Sequence, residues 1–217
     1  MFRDRKDAGR QLAARLGHLA KEAPLVLALP RGGVPVGYEV ARALNAPLDV
    51  WIVRKLGAPF QQEYAIGAIG EGGTCYVDWP DAAEAGATRA YVDALVKRET
   101  LELQRRMRAY RGDRPRVDPR GRTVILVDDG IATGRSVRAA LSDLRSLKPK
   151  KLVLATPVAP NASLRELAAL ADEVVCVDPT DALFAIGEWY FDFSQTTDEE
   201  VARLLDASPR IPESLPT

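Results

Sequence analysis

Residues 124–136 constrain the fold more than any other part of the sequence. They read Val-Ile-Leu-Val-Asp-Asp-Gly-Ile-Ala-Thr-Gly-Arg-Ser: an apolar run, two acids, and a turn of small residues that opens a helix. A short run that is apolar throughout indicates a strand buried on both faces, as in parallel sheets. Asp128 and Asp129 are therefore expected at the carboxyl end of that strand, where open α/β sheets bind their ligands.

The rest of the chain repeats this alternation of apolar strands and helices. Further buried strands are expected at residues 25–29, 48–53, 152–155 and 174–177. Helices are expected at residues 7–20, 36–44, 136–147 and 163–171, and Ser163 and Glu166 have capping-box spacing. The pattern predicts an α/β fold, a Rossmann-like parallel sheet flanked by helices.

One long segment departs from the alternation. Residues 56–122 separate two core strands by far more than an ordinary crossover. They include an apolar stretch interrupted by glycines at residues 66–76, which predicts a hairpin, and a long helical pattern at residues 88–110. We therefore expect an inserted, mostly helical arm after the second strand.

A second departure follows the last strand. Residues 179–197 are rich in aromatic side chains and predict a C-terminal hood, followed by a short helix that Thr197 and Glu200 could cap. A chain of 217 residues suits one core with an elaborated cap. We expect a core domain at residues 1–178, and a hood with a tail at residues 179–217.

Composition excludes several classes of protein. Thirty basic residues balance thirty acidic ones, so no overall charge attracts nucleic acid or an anionic membrane. No run approaches the roughly 20 apolar residues of a membrane span, and the N-terminus lacks an apolar signal region. Cys75 and Cys176 show no metal-ligand spacing, which favours reduced thiols in a cytoplasmic protein. The one histidine, His18, falls in the opening helix, far from the acidic motif.

The turn after the two acids has the chemistry of a sugar-phosphate site. A helix N-terminus offers unpaired backbone N–H groups and a positive dipole end, and the hydroxyls of Thr133 and Ser136 add donors. Asp128 and Asp129 are acceptors that could hold two neighbouring ribose hydroxyls. Taken singly, the acids could solvate a strand end and Ser136 could be a simple N-cap. The stretch contains neither GxxxxGK[ST] nor GxGxxG, so neither nucleotide fingerprint explains it.

The same stretch resembles the motif with which type I phosphoribosyltransferases bind 5-phosphoribosyl 1-pyrophosphate (PRPP). The resemblance implies that Asp128 and Asp129 bind the 2- and 3-hydroxyls of ribose. It also implies a cradle for the 5-phosphate made by Ala132, Thr133, Gly134, Arg135 and Ser136.

Two other parts of the family pattern occur in the right order. Pro-Arg-Gly-Gly at residues 30–33 looks like the family's pyrophosphate loop, with Arg31, Gly32 and Gly33 as the contacting residues. Arg54 and Lys55 follow the second strand, where relatives carry a basic pair that faces pyrophosphate. Together these matches span residues 25–177 without most of the arm.

The resemblance implies a Mg²⁺-dependent transfer of ribose 5-phosphate between PRPP and a nucleobase or other nitrogenous acceptor, with pyrophosphate leaving. Asp128, Asp129 and Lys55 would be the catalytic residues, and the loop after Lys55 would close over the site. Mg²⁺ would be held mainly by the substrate, with the two aspartates as candidate protein ligands. Relatives often associate, which suggests a homodimer.

The resemblance also bears on the acceptor. Enzymes of the family that use 6-oxopurines carry an aspartate two residues before the motif glycine, where this chain has Ala132. They also carry a lysine after the last strand, and residues 177–181 contain none. A 6-oxopurine acceptor is therefore disfavoured, and the Ala-Thr-Gly run is closer to the adenine and uracil enzymes. Phe184, Trp189 and Tyr190 of the hood are candidates for stacking on a planar base.

Three alternatives stay open. Enzymes that make PRPP from ribose 5-phosphate and ATP have two similar halves, and this chain shows no repeat. A domain of this fold could also have lost turnover, or it could sense PRPP or bind RNA as a regulator. A local cluster of arginines points toward RNA, although a solvated helix end or an oligomer contact is favoured over nucleic acid. Its members are Arg105, Arg106, Arg108, Arg111, Arg114, Arg116, Arg120 and Arg122, against Asp113 and Asp118.

Overall fold

The computed structural model describes residues 1–62, 64–112 and 114–208. Within them the strands are β1 Leu25–Ala28, β2 Leu48–Val50, β3 Val53–Gly57, β4 Ala65–Gly70, β5 Cys75–Val77, β6 Thr123–Val127, β7 Lys151–Pro160 and β8 Glu173–Thr180. The α-helices are α1 Arg5–Leu16, α2 Gly33–Leu44, α3 Trp79–Glu84, α4 Arg89–Arg111, α5 Arg135–Ser146, α6 Asn161–Leu167 and α7 Asp198–Ala207. Short 3-10 helices occur at Gly17–Glu22 and Ile186–Trp189.

Five of the strands form a parallel sheet in the order β2-β1-β6-β7-β8. β6 lies at its centre beside β1, with Leu25 opposite Val124, and every residue of both strands is buried. Alternate side chains point to opposite faces of a sheet. Val26 therefore packs on the face covered by α1 and α2, whereas Leu27 packs on the face covered by α5. This layered arrangement confirms the predicted α/β class.

The predicted helix caps have mixed outcomes. Thr197 caps α7 as expected, and its hydroxyl accepts the N–H of Glu200 at 3.1 Å. The capping box predicted at Ser163 and Glu166 is wrong, because α6 begins two residues earlier. The Ser163 hydroxyl donates instead to the carbonyl oxygen of Ala132 at 3.0 Å. A residue expected to start a helix therefore braces the turn after the acidic pair.

After β2 the chain leaves the parallel sheet to build the arm. β3, β4 and β5 form a separate antiparallel sheet, in which Val53 lies opposite Gly70. The predicted hairpin is confirmed as β4 and β5, and the predicted long helix as α4. The second core strand ends at Val50, three residues before its predicted end, because the N–H of Ile52 donates to the carboxylate of Glu71 in the arm at 3.0 Å.

Asp143 of α5 fastens the turn of the hairpin to the core. Its buried carboxylate accepts the backbone N–H groups of Gly72 at 2.9 Å and Thr74 at 3.0 Å, and the indole N–H of Trp51 at 3.1 Å. A β-carbon at Gly72 would lie 2.6 Å from a carboxylate oxygen of Asp143. The glycine therefore allows the close approach on which these hydrogen bonds depend.

Arg111 anchors the other end of the arm. It lies in the last turn of α4, is buried, and donates two hydrogen bonds of 2.9 Å to the carboxylate of Asp49 in β2. It also donates to Glu71 at 2.7 and 3.2 Å and to the carbonyl oxygen of Val50 at 2.6 Å. One guanidinium thus ties α4 to the edge of the parallel sheet and to the hairpin.

The hood folds back on the N-terminus of the chain. The N–H of Phe2 donates to the carbonyl oxygen of Trp189 at 2.8 Å, and the N–H of Phe191 donates to the carbonyl oxygen of Phe2 at 2.9 Å. The ring of Phe2 is buried against Tyr190. Among the helices of the described residues, none combines the length and apolar character that crossing a bilayer requires.

Candidate active site

Asp128 and Asp129 follow β6 directly and lie at the carboxyl edge of the sheet. The N–H of Asp129 donates to the carboxylate of Asp128 at 3.0 Å. Burial raises the pKa of both carboxyls, and the neighbouring charge of Asp129 raises the pKa of Asp128 further. Arg5 opposes the shift in the pKa of Asp129, because its Nε donates to the carboxylate at 2.7 Å. Two carboxyls with perturbed pKa values at a sheet edge are typical of a functional site.

The Pro-Arg-Gly-Gly loop packs directly against these acids. The N–H of Leu29 donates to the carbonyl oxygen of Val127 at 2.8 Å, which sets the loop beside the end of β6. A β-carbon on Gly32 would overlap the carboxylate of Asp129, and one on Gly33 would lie 2.8 Å from the carbonyl oxygen of Val127. Two motifs about a hundred residues apart in sequence therefore meet at one point, and both loop glycines are required by that approach.

Replacing Gly32 with alanine is expected to lower the affinity for PRPP by about tenfold or more, because the new β-carbon would displace the carboxylate of Asp129. Overpacking of this kind typically costs about 1–3 kcal/mol. Calorimetric titration with PRPP and Mg²⁺ measures the change. Gly17→Ala is the matched control, since a β-carbon at Gly17 meets no atom within 4 Å. Equal affinities for the two variants would contradict the prediction.

The expected 5-phosphate turn connects β6 to α5. Gly134 has φ of +70°, a conformation that favours glycine, and α5 begins at the next residue. The N–H of Ile131 donates to the carbonyl oxygen of Val158 at 2.9 Å, and Ser163 braces the carbonyl oxygen of Ala132. The turn is thus held from β7 and α6. Ala132, Thr133 and Arg135 are exposed there, and Ser136 is half-buried.

The basic pair of β3 lies beside this turn. A cavity of about 330 Å³ is lined by Lys55 and Ser136 together, and by Arg54, Tyr91, Arg98 and Glu99 among others. Arg54 is engaged by α4, because its guanidinium donates to Glu99 at 2.6 and 2.9 Å. Lys55 is exposed. The structure therefore brings Lys55 to the phosphate turn, while Arg54 mainly joins the hairpin to α4.

Arg31 takes a different direction from the rest of the loop. Its guanidinium lies 3.7 Å from the carboxylate of Asp198, in the first turn of α7, and about a third of its side chain is exposed. Asp198 also accepts the hydroxyl of Tyr110 at 2.9 Å. Gly32 and Gly33 therefore meet the acidic pair, whereas the side chain of Arg31 contacts the helix that follows the hood.

The hood aromatics divide into buried and exposed residues. Tyr190 is only 5% exposed, its ring packs beside Phe2 and Phe193, and its hydroxyl donates to the carbonyl oxygen of Asp129. Its ring is engaged in this packing, so the acceptor-stacking role expected for Tyr190 does not fit this position. Trp189 packs on the same cluster, whereas the ring of Phe184 is 91% exposed.

Arg5 is the residue that sequence reasoning missed. It begins α1 and reaches Asp129, which lies 124 positions later in the chain. Nothing in the sequence distinguishes Arg5 from Arg3 or Arg10 as a partner for that carboxylate. Only the packing of α1 against the carboxyl edge of the sheet reveals the contact, because no motif spans the two positions.

The arginine cluster is partly committed to contacts within the chain. Arg105 and Arg106 both donate to Glu102, at 2.7 and 2.9 Å. Arg114 donates to carbonyl oxygens at the end of α4, and the arginine that closes α4 is buried. Asp113, one of the two acids counted in the cluster, lies outside the described residues. These contacts agree with the favoured interpretation of a helix end.

Known proteins share both the sequence and the fold. Residues 3–191 match the family model described as phosphoribosyl transferase domain. The chain is 47% identical over 210 residues to "Putative phosphoribosyl transferase Rv0571c" of Mycobacterium tuberculosis (strain ATCC 25618 / H37Rv), covering 97% of this chain and 47% of that protein. The chain therefore spans about half the length of this relative. The crystal structure of TT1426 from Thermus thermophilus is 45% identical with a TM-score of 0.82, covering 94% of this chain and 97% of that one. The family model spans nearly the whole chain, and the chain belongs to the phosphoribosyl transferase domain family.

Proposed function

We propose that the protein transfers ribose 5-phosphate between PRPP and a nitrogenous acceptor, with pyrophosphate as the leaving group. One observation carries the proposal: the Pro-Arg-Gly-Gly loop lies against Asp128 and Asp129, beside a helix N-terminus suited to a phosphate. A sugar with a pyrophosphate at one end and a phosphate at the other needs these three features together. Membership of the family supports the same reaction class.

Each part of the site has a role in this reaction. Asp128 and Asp129 hold the ribose hydroxyls, and the residues from Ala132 to Ser136 receive the 5-phosphate. The bond between the anomeric carbon and pyrophosphate breaks as positive charge develops on the sugar. Gly32 and Gly33 let the backbone approach the leaving group, while Lys55 supplies positive charge. Catalysis of this kind depends mostly on positioning and electrostatics.

The donor set suits Mg²⁺. Mg²⁺ is usually bound through one or two carboxylates together with substrate phosphates, and Asp128 and Asp129 supply such a pair. Within the described residues, no group of three or more His, Cys, Asp or Glu side chains could hold a metal without help from a substrate. Bound with PRPP, the ion would offset negative charge on the leaving group.

The acceptor is proposed to be a nitrogenous compound other than a 6-oxopurine. Ala132 has no group that could take a proton from a purine. Tyr190 is packed into the hood, so Phe184 and Trp189 are the remaining aromatic candidates for contacting a planar acceptor.

Calorimetry with PRPP and Mg²⁺ tests the proposal, followed by measurement of pyrophosphate release across a panel of nucleobases and simple amines. Binding with release for one acceptor would establish the transferase and name that acceptor. Binding without release would favour a PRPP sensor that lacks turnover. Failure to bind PRPP with Mg²⁺ would refute the proposal.

A further inference from the structure

Arg5 makes three separate contacts where α1, the acidic pair and the hood meet. Its Nε donates to the Asp129 carboxylate at 2.7 Å, and another guanidinium nitrogen donates to the carbonyl oxygen of Ser194, also at 2.7 Å. The guanidinium carbon lies 3.9 Å from the centre of the Phe193 ring. The side chains of Arg5 and Asp129 are each only 12% exposed. Two hydrogen bonds and a stacked ring therefore fix the guanidinium plane.

We propose that Arg5 is a positioning residue of the ribose site, which holds the Asp129 carboxylate in the orientation that receives the sugar. This inference rests on the proposed function. A charge-assisted hydrogen bond is short and directional, so it selects one rotamer of a carboxylate. Arg5 engages Oδ2 of Asp129, and an ionised carboxylate has about four acceptor sites. Acceptor capacity on Asp129 therefore remains for a ribose hydroxyl.

A purely stabilising role explains this contact less well. Desolvation of two charges largely cancels their attraction, so a buried ion pair adds little net stability. A fixed direction is what the pair provides, and the surroundings serve the same end. Gly32 leaves room for the Asp129 carboxylate on one side, while the hydroxyl of Tyr190 donates to the backbone carbonyl oxygen of Asp129. The side chain and the backbone of Asp129 are thus held by different residues.

The contacts of Arg5 also connect the hood to the sugar site. Ser194 and Phe193 belong to the segment that follows the hood's 3-10 helix, and both touch the guanidinium that holds Asp129. A shift of this segment would therefore move Arg5 and release the carboxylate.

The test compares three ligands with Mg²⁺ present: PRPP, ribose 5-phosphate and pyrophosphate. Arg5→Gln is expected to weaken PRPP and ribose 5-phosphate by about tenfold or more, as for loss of one hydrogen bond to a charged group. Pyrophosphate lacks the sugar, so its affinity should stay within about twofold of the wild type. Arg5→Lys should recover part of the loss, because lysine keeps the charge but not the planar fork. Arg10→Gln is the matched control, an exposed residue of the same helix.

The outcomes separate positioning from structure. Equal losses for all three ligands, together with a lower thermal transition for Arg5→Gln, would mean that Arg5 only supports the fold and would overturn the inference. Unchanged affinity for ribose 5-phosphate and PRPP in a folded Arg5→Gln protein would also overturn it. Failure of the wild-type protein to bind PRPP is a different result, because it would refute the proposed function and this inference with it.

Discussion

Asp129→Asn should reduce the affinity for PRPP and the rate of pyrophosphate release by about a hundredfold. The substitution removes a charged acceptor for a ribose hydroxyl, and loss of one preorganised electrostatic contact commonly lowers turnover by about 10²–10³. It also removes the ionic partner of Arg5. The fold should tolerate the change, because burial raises the pKa of Asp129 and so disfavours its charged form in the folded state. Calorimetry and a pyrophosphate assay measure the two effects.

The control for Asp129→Asn is Asp93→Asn, the same chemical change at an exposed position of α4. It should leave both quantities unchanged. Asp128→Asn should lower the rate to a similar degree, because the two carboxyls are expected to hold neighbouring hydroxyls. An unchanged rate of pyrophosphate release for Asp129→Asn would remove this residue from the catalytic site.

Arg111→Met should lower the free energy of unfolding by about 3–5 kcal/mol, as for loss of one partner from a buried ion pair. The guanidinium satisfies two buried carboxylates, Asp49 and Glu71, and methionine satisfies neither. Since domains are stable by only about 5–15 kcal/mol, the variant would lose a large share of its stability. Denaturation with urea at pH 8 measures the change, and Arg108→Met is the matched control one turn earlier on an exposed face of α4.

The loss in Arg111→Met should depend on pH. Burial raises the pKa of Glu71 to about 7, despite its contact with Arg111. A carboxyl whose pKa is raised on folding contributes stability below its ordinary pKa of 4.5, and that contribution disappears as the pH rises through 7. At pH 5 Glu71 is largely protonated, so removing the cation costs less there than at pH 8. Equal losses at both values would show that Glu71 is ionised in the fold at pH 5.

Much of the core could be predicted because its signals are local. Residues of a buried strand are apolar throughout, so β1, β6, β7 and β8 stand out in the sequence. β3 does not, because Val53 begins a strand that pairs within the arm rather than with the core. The link between the small sheet and the core depends on hydrogen bonds between Ile52 and Glu71. Contacts between segments so far apart leave no periodic pattern.

The same reason explains what could be predicted of the site. Asp128 and the Pro-Arg-Gly-Gly loop follow adjacent parallel strands, so the structure brings them together as expected. The family and the α/β fold are confirmed, while the roles of individual site residues stay predictions. Arg31 and Tyr190 were assigned from their place in a motif alone. Their side chains contact α7 and the N-terminal segment, which no motif specifies.

The contacts of Arg5 determine when the site can form during synthesis. Arg5 bonds to partners 124 and 189 positions later in the chain. At roughly 5–20 residues per second, translation needs about 10–40 s to travel from Arg5 to Ser194. Until then the strands and glycines can assemble, but the guanidinium lacks one of its partners. PRPP added to a cell-free translation reaction should therefore protect chains from proteolysis only after residue 194 has been released from the ribosome.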